Sequence, residues 1–252
     1  MRPVLRQVRG RRGMTDFPID GQIPPNSAAG TTDSPYFRFV RREILPLLPA
    51  TATRILDVGA GVGATSAWLR TRYEGCTTVA LEGSRAAEAA LRGNVDEAHI
   101  VDLNGPLPDV GAPDLVLLLD VLEHLVDPWD VLKRIVDIAA PQATVIVSVP
   151  NIAHFSVSLP LLLRGAFQYR DAGIMDRTHL RFFVRSSAIA LLNSAGLHVE
   201  GGLRTGFNGP RARWVERLTM GGVRDGLTKQ YILAGQRFGA RDRQQPIMWK
   251  RT

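Results

Sequence analysis

The sequence predicts an α/β domain with a mostly parallel sheet and helices on both of its faces. Two observations carry this. Short apolar runs alternate with longer amphipathic stretches, and the first run leads into a cluster of glycines. Each run has the length of a strand and is bounded by Gly, Pro, Asp or Asn.

The runs expected as strands are Arg54 to Val58, Thr77 to Leu81, His99 to Leu103, Asp114 to Leu119 and Ala143 to Val149. Helical periodicity lies between them at Thr65 to Tyr73, Arg85 to Arg92 and Pro128 to Ile138. Upstream, Tyr36, Phe37, Phe39, Val40, Ile44, Leu45 and Leu48 recur at helical spacing and stop before Pro49, which predicts a first amphipathic helix. Past Asn151 the pattern loosens. Residues 152–183 are expected to form a lid, followed by a helix at Ser186 to Ala195 that Gly196 ends. Strands at Leu197 to Arg204 and Gln230 to Arg237 complete the domain, with residues 205–229 inserted between them. In such a doubly wound sheet, ligands bind beyond the carboxyl ends of the strands.

Composition narrows the classes. The 252 residues are enough for one domain with a substantial core, so residues 34–238 are assigned to it. Cys76 is the single cysteine, which excludes an internal disulfide framework or a thiolate metal cluster and fits a reducing cytoplasm. The net charge of +7 is concentrated at the start, where residues 1–13 carry five arginines and no acid. Residues 1–33 therefore read as a flexible basic tail, and residues 239–252 as a C-terminal one. A basic leader also suits a polyanion or an anionic lipid surface, which keeps open an enzyme or binding module that acts on nucleic acid. Against that reading, the body has no platform of interleaved aromatic and basic residues. The longest apolar run is strand-sized, so no transmembrane helix is expected.

The glycine turn is Asp57-Val58-Gly59-Ala60-Gly61-Val62-Gly63. Glycines tolerate positive φ and let a ligand approach the backbone. Gly59-x-Gly61-x-x-Ala64 also satisfies the relaxed dinucleotide fingerprint. The acids at neighbouring strand ends, Glu82, Asp102 and Asp120, discriminate in part. One carboxylate at Glu82 suits both ribose hydroxyls of an adenosine. Asp57 is awkward beside a pyrophosphate and welcome beside a cationic amino-acid tail.

As a set these segments resemble the class I S-adenosylmethionine-dependent methyltransferases over about Tyr36 to Phe238. The glycine turn looks like their first motif, and Asp120-Val121-Leu122-Glu123-His124 resembles their fourth-strand motif. The resemblance implies a Rossmann-like sheet of seven strands with one antiparallel. It implies a cofactor site of Asp57, Gly59, Ala60, Gly61, Gly63, Glu82, Gly83, Asp102, Leu103, Asp120 and Val121. A narrower similarity, in Val149 to Phe155 and Asp171 to Phe183, is to a bacterial branch encoded near glycosyltransferases in polysaccharide loci. It implies O-methylation of a small acceptor, a saccharide or glycolipid intermediate.

Methyl transfer from a sulfonium chiefly needs the acceptor aligned and its proton removed. The candidates are His124, His154 and His179. His179 suits a general base, or a histidine that pins the lid. His124 suits the same role, or that of holding the cofactor loop. Asp120, Glu123, His124 and His179 also resemble the set by which some quinone-pathway and small-RNA methyltransferases hold Mg²⁺ or Mn²⁺. The departure is Asp120, shorter by one methylene than the glutamate of that pattern. Arg177 and Arg181 suit an anionic acceptor or stand as solvated charges. Leu159 to Leu163, Leu-Pro-Leu-Leu-Leu, fits a peripheral membrane contact or a helix packed on its own domain.

Overall fold

The computed structural model describes residues 39–206, 224–237 and 247–251. The basic leader, Tyr36, Phe37, residues 207–223 with Trp214, and residues 238–246 lie outside the described residues. The described chain forms strands β1 (Arg54–Val58), β2 (Thr77–Glu82), β3 (Glu97–Ile100), β4 (Leu115–Leu119), β5 (Thr144–Pro150), β6 (Leu197–Thr205), β7 (Gln230–Arg237) and β8 (Met248–Arg251). Five helices connect them: α1 (Ala64–Arg72), α2 (Glu88–Asn94), α3 (Pro128–Ile138), α4 (Phe155–Arg164) and α5 (Arg185–Ser194). A helical turn, Arg224–Leu227, precedes β7.

The strands lie in the order β3-β2-β1-β4-β5-β7-β6-β8. Strands β3, β2, β1, β4 and β5 pair in parallel, and β7 runs antiparallel between β5 and β6. Strand order reverses between β1 and β4, so the switch point falls beyond the ends of these two strands. The expectation of seven strands is corrected to eight, because Met248–Arg251 pairs with β6 in parallel.

Alternation along the strands sorts side chains to two faces. Leu56, Val58, Val116, Leu118, Val145 and Val147 meet Val131, Leu132 and Ile135 of α3 and Leu191 and Leu192 of α5. Ile55, Leu115, Leu117 and Ile146 meet Leu69 of α1 and Ile44 and Leu47 on the other face. Helix α3 begins where the sequence directs it: the Asp127 carboxylate accepts from the Trp129 and Asp130 N–H groups, and Pro128 occupies the first turn.

Two elements depart from expectation. The first helix is a 3₁₀ segment, Arg42–Leu47, because Pro46 removes an N–H and clashes with a continuing α-helix. β3 lies at the sheet edge and ends at Ile100, earlier than expected; its residues are only half-buried, so no clean alternation marked its register.

Candidate functional site

Beyond β1 and β4 the structure opens a cavity of about 660 Å³, lined from six separate parts of the chain. The glycine turn forms its floor. Gly59, Gly61 and Gly63 have φ of 69°, 58° and 78°, the left-handed region that a side chain strains. Gly59, Ala60 and Gly61 line the cavity, whereas Gly63 does not. Gly63 is the N-cap of α1, and a Cβ there would meet Leu91 at 3.0 Å and Val95 at 3.1 Å. That glycine serves helix packing.

Glu82, at the end of β2, accepts from the Gly61 N–H through Oε2 and from the Ser84 N–H through Oε1, both at 2.8 Å. Each oxygen keeps a second acceptor site. The turn therefore orients a carboxylate with two free lone pairs facing the cavity wall it shares with Gly83.

Asp57, at the end of β1, is buried and accepts from the Ser66 hydroxyl at 2.6 Å. Burial pushes its carboxyl up from 3.8 to about 6, against the Ser66 hydrogen bond. Across the cavity, Asp120 has φ 60°, a strained conformation for a residue other than glycine. Its side chain explains why it persists there. Oδ1 accepts from Ser148 Oγ at 2.7 Å and from Gln230, while Oδ2 accepts from Arg41 at 2.6 Å. Arg41 also pairs with Glu43, and its backbone N–H donates to Thr65 of α1. Sequence reasoning missed Arg41, Ser148 and Gln230. They converge from positions 79, 28 and 110 residues away from Asp120, and no local pattern marks them.

Leu103 and Val121 line the cavity, but Asp102 does not. Asp102 is exposed, and Oδ1 accepts from the Asn104 backbone and side-chain amide. The reading that placed it at a strand tip ran β3 too long.

Of the three histidines, only His124 lines the cavity. Its Nδ1 lies 3.3 Å from the Thr178 carbonyl oxygen and 3.1 Å from the Thr178 hydroxyl, which donates to Asp176; a proton on Nδ1 satisfies both acceptors and leaves Nε2 with a lone pair. Burial and the neighbouring His179 hold its pKa below the usual imidazole value. His179 is buried behind it, the ring centroids 4.8 Å apart, with Nδ1 at 3.1 Å from the Ile174 carbonyl. His154 stands outside the cavity lining. Its Nδ1 accepts from the Ser156 N–H and caps α4, which corrects its assignment among the catalytic candidates.

Donor atoms of Glu123, His124 and His179 lie within 4.8 Å of one another. Glu123 is buried with its pKa well above the usual carboxylate range, first through burial and then through the Asp120 charge. Its Oε2 has no hydrogen-bond partner among the described residues. Asp120 stands apart from this trio, its oxygens committed to Arg41, Ser148 and Gln230. The four-residue metal set expected from the sequence is therefore reduced to three.

Comparison with known proteins identifies the family and the fold. The family model described as a methyltransferase domain matches residues 33–200. The ubiquinone biosynthesis O-methyltransferase of Xylella fastidiosa is 29% identical over 169 residues, 61% of this chain and 64% of that one. The trans-aconitate 2-methyltransferase of Delftia acidovorans is 28% identical over 127 residues, 46% of this chain and 47% of that one. The chain thus spans about half to two thirds of the length of these two relatives. Among solved structures, a SAM-dependent methyltransferase from Archaeoglobus fulgidus superposes with a TM-score of 0.55 at 16% identity, covering 78% of this chain and 90% of that one. The N-methyltransferase NodS from Bradyrhizobium japonicum WM9, solved with S-adenosyl-L-homocysteine, gives 0.52 at 11% identity, covering 79% and 83%. With two thirds of its length matched, the chain belongs to the methyltransferase domain family and carries the class I S-adenosylmethionine-dependent fold.

Proposed function

We propose that the protein transfers the methyl group of S-adenosylmethionine to an oxygen of a small acceptor, a saccharide or glycolipid intermediate. The observation that carries the reading is the cavity, where the glycine turn, Glu82, Asp57 and Arg41 meet. Glu82 takes the two ribose hydroxyls with its spare lone pairs. Asp57 faces the ammonium of the methionyl tail. Arg41, the only lysine or arginine among the described residues lining the cavity, supplies the counter-charge for the α-carboxylate. Leu103 and Val121 supply apolar surface for the adenine. The turn of Gly59 to Gly61 leaves room for the ligand against the backbone.

His124 is the general base. The acceptor oxygen attacks the methyl carbon as the carbon–sulfur bond breaks, its electron pair going to sulfur, and His124 Nε2 takes the hydroxyl proton. General bases contribute about a hundredfold or more to rate. His124→Ala should lower kcat by about that factor while the KM for S-adenosylmethionine stays within about twofold. Steady-state assays with a radiolabelled methyl group check it; an unchanged kcat removes His124 from the mechanism. His179 contributes through its contact with His124, so His179→Ala should cost less.

The titration of Asp57 gives a pH dependence with a definite sign. Its folded pKa of about 6 lies above the ordinary 3.8, so the free folded protein holds the proton between these values and loses stability as pH rises through that window. A bound ammonium needs the ionised form. Affinity for S-adenosylhomocysteine should therefore rise about tenfold from pH 5 to pH 7 and level off above. Calorimetry across that range, with Asp57→Asn as the flat control, is the check.

The unpartnered Glu123 oxygen favours a second reading for the adjacent trio. A carboxylate with two imidazoles suits Mn²⁺ or Mg²⁺, and a cation there would lower the pKa of an acceptor hydroxyl. Methyl transfer after exhaustive chelation decides the point, together with the electron paramagnetic resonance of added Mn²⁺. Full activity without metal and an unperturbed Mn²⁺ signal remove the cation. The acceptor itself is tested by assaying a panel of nucleotide sugars and sugar lipids against short nucleic acids. Methylation confined to nucleic acid would overturn the saccharide reading.

A further inference from the structure

Helix α4 buries only Val157 among its ten residues. Its first turn is anchored: His154 caps it, and Phe155 packs so closely on Gly226 that a Cβ there would meet the ring at 2.4 Å. The second half has no such support. Leu159 and Leu161 are more than two fifths exposed, and Leu162 and Leu163 are 80% and 73% exposed. The chain then turns at Gly165, φ 60°, and presents Phe167 and Tyr169, both exposed and stacked edge to face at 5.6 Å. Isolated exposed leucines need no explanation, but a contiguous apolar projection of this kind marks an interaction surface.

The charge pattern selects the occupant. From Phe155 to Arg170 there are two arginines, Arg164 and Arg170, and no acid. Among the described residues, Asp171 pairs with Arg177, leaving Arg164 and Arg170 without a carboxylate partner. A second copy docking isologously on this face would set arginine against arginine. An anionic lipid surface instead attracts both while the leucines enter its acyl boundary and the aromatic rings sit at headgroup level. No helix among the described residues is long and apolar enough to cross a membrane, so the contact is superficial. The geometry points to Leu159–Arg170 as a docking element for an anionic bilayer surface. The patch reaches the site described above: Phe182 lies 5.8 Å from the Phe167 ring and 6.5 Å from His179. The inference does not depend on methyl transfer and is tested apart from it.

Flotation of the full chain with vesicles of phosphatidylcholine and phosphatidylglycerol measures it. Wild-type protein should float with the mixed vesicles, bind less as salt rises, and bind weakly to phosphatidylcholine alone. Leu162→Ser/Leu163→Ser, at two solvent-facing positions, should lower the partition coefficient about tenfold or more with an unchanged thermal melt. Arg164→Gln/Arg170→Gln should reduce binding only to the anionic vesicles. Undiminished binding by the leucine variant would assign the contact to the basic leader and overturn the proposal. So would absence of wild-type binding, or a dimer in sedimentation that the leucine substitutions dissolve.

Discussion

Glu82→Ala is expected to weaken the binding of S-adenosylhomocysteine by roughly a hundredfold or more while leaving the fold intact. Two hydrogen bonds from ribose hydroxyls to an ionised oxygen each contribute about 1.5–3 kcal/mol when solvent is excluded. Their loss together is about 3 kcal/mol or more, which sets the factor. A further loss comes from the protein itself. Glu82 holds the Gly61 and Ser84 amides at 2.8 Å, so the shape of the turn depends on the same carboxylate that meets the ligand. Glu82→Gln separates the two effects. Its amide oxygen can accept from only one side of the carboxylate, so it should bind at an intermediate level. Calorimetric titration of the three proteins checks the order, and equal affinities would remove Glu82 from the site.

The second large effect is on stability. Gly59 has φ 69°, and a Cβ built there would sit 2.5 Å from Val121 Cγ2. Gly59→Ala therefore combines left-handed strain of about 1–2 kcal/mol with overpacking of about 1–3 kcal/mol. For a domain of this size the melting temperature should fall by about 5–15 °C. Gly75 is the control, since its φ is 75° and nothing lies within 4 Å of the added carbon. Gly75→Ala carries the strain alone and should cost at most a third to a half as much. If the two variants melted together, close approach of the turn to Val121 would not be what requires glycine at position 59.

The glycine turn was legible because its requirement is local. Positive φ at Gly59 and Gly61 favours glycine through the backbone alone, and the acid at the end of β2 lies one strand away in a repeating pattern. The buried strands were legible from pattern as well: β4 is a continuous apolar run, and β1 and β5 are mostly apolar runs between polar boundaries. Legibility failed where tertiary contact decides. Asp102 was misplaced because the edge strand β3 is half-buried along its length and shows no register. His154 has a side chain suited to catalysis and to capping alike, and only the geometry of α4 separates the two. Arg41 sits in a segment whose apolar spacing suggested a helix, yet its function in the cavity comes from Asp120, far along the chain. Gln230 opens a strand and gives no signal in sequence.

The positive φ of Asp120 belongs to the same class of hidden features. An aspartate there is strained, and three partners from β5, β7 and the first segment hold it in place. Strain of this kind persists where the surroundings over-determine a position, which accords with its place at the mouth of the cavity.

The cavity at the β1–β4 switch point is proposed to receive an adenosyl sulfonium rather than a dinucleotide. Parallel calorimetric titrations of one preparation with S-adenosylmethionine and with NADPH test it most directly. A saturable one-to-one isotherm with S-adenosylmethionine, abolished by excess S-adenosylhomocysteine, is expected, with no heat of binding with NADPH. Saturable binding of NADPH displaced by neither sulfur compound, with no response to S-adenosylmethionine, would contradict it.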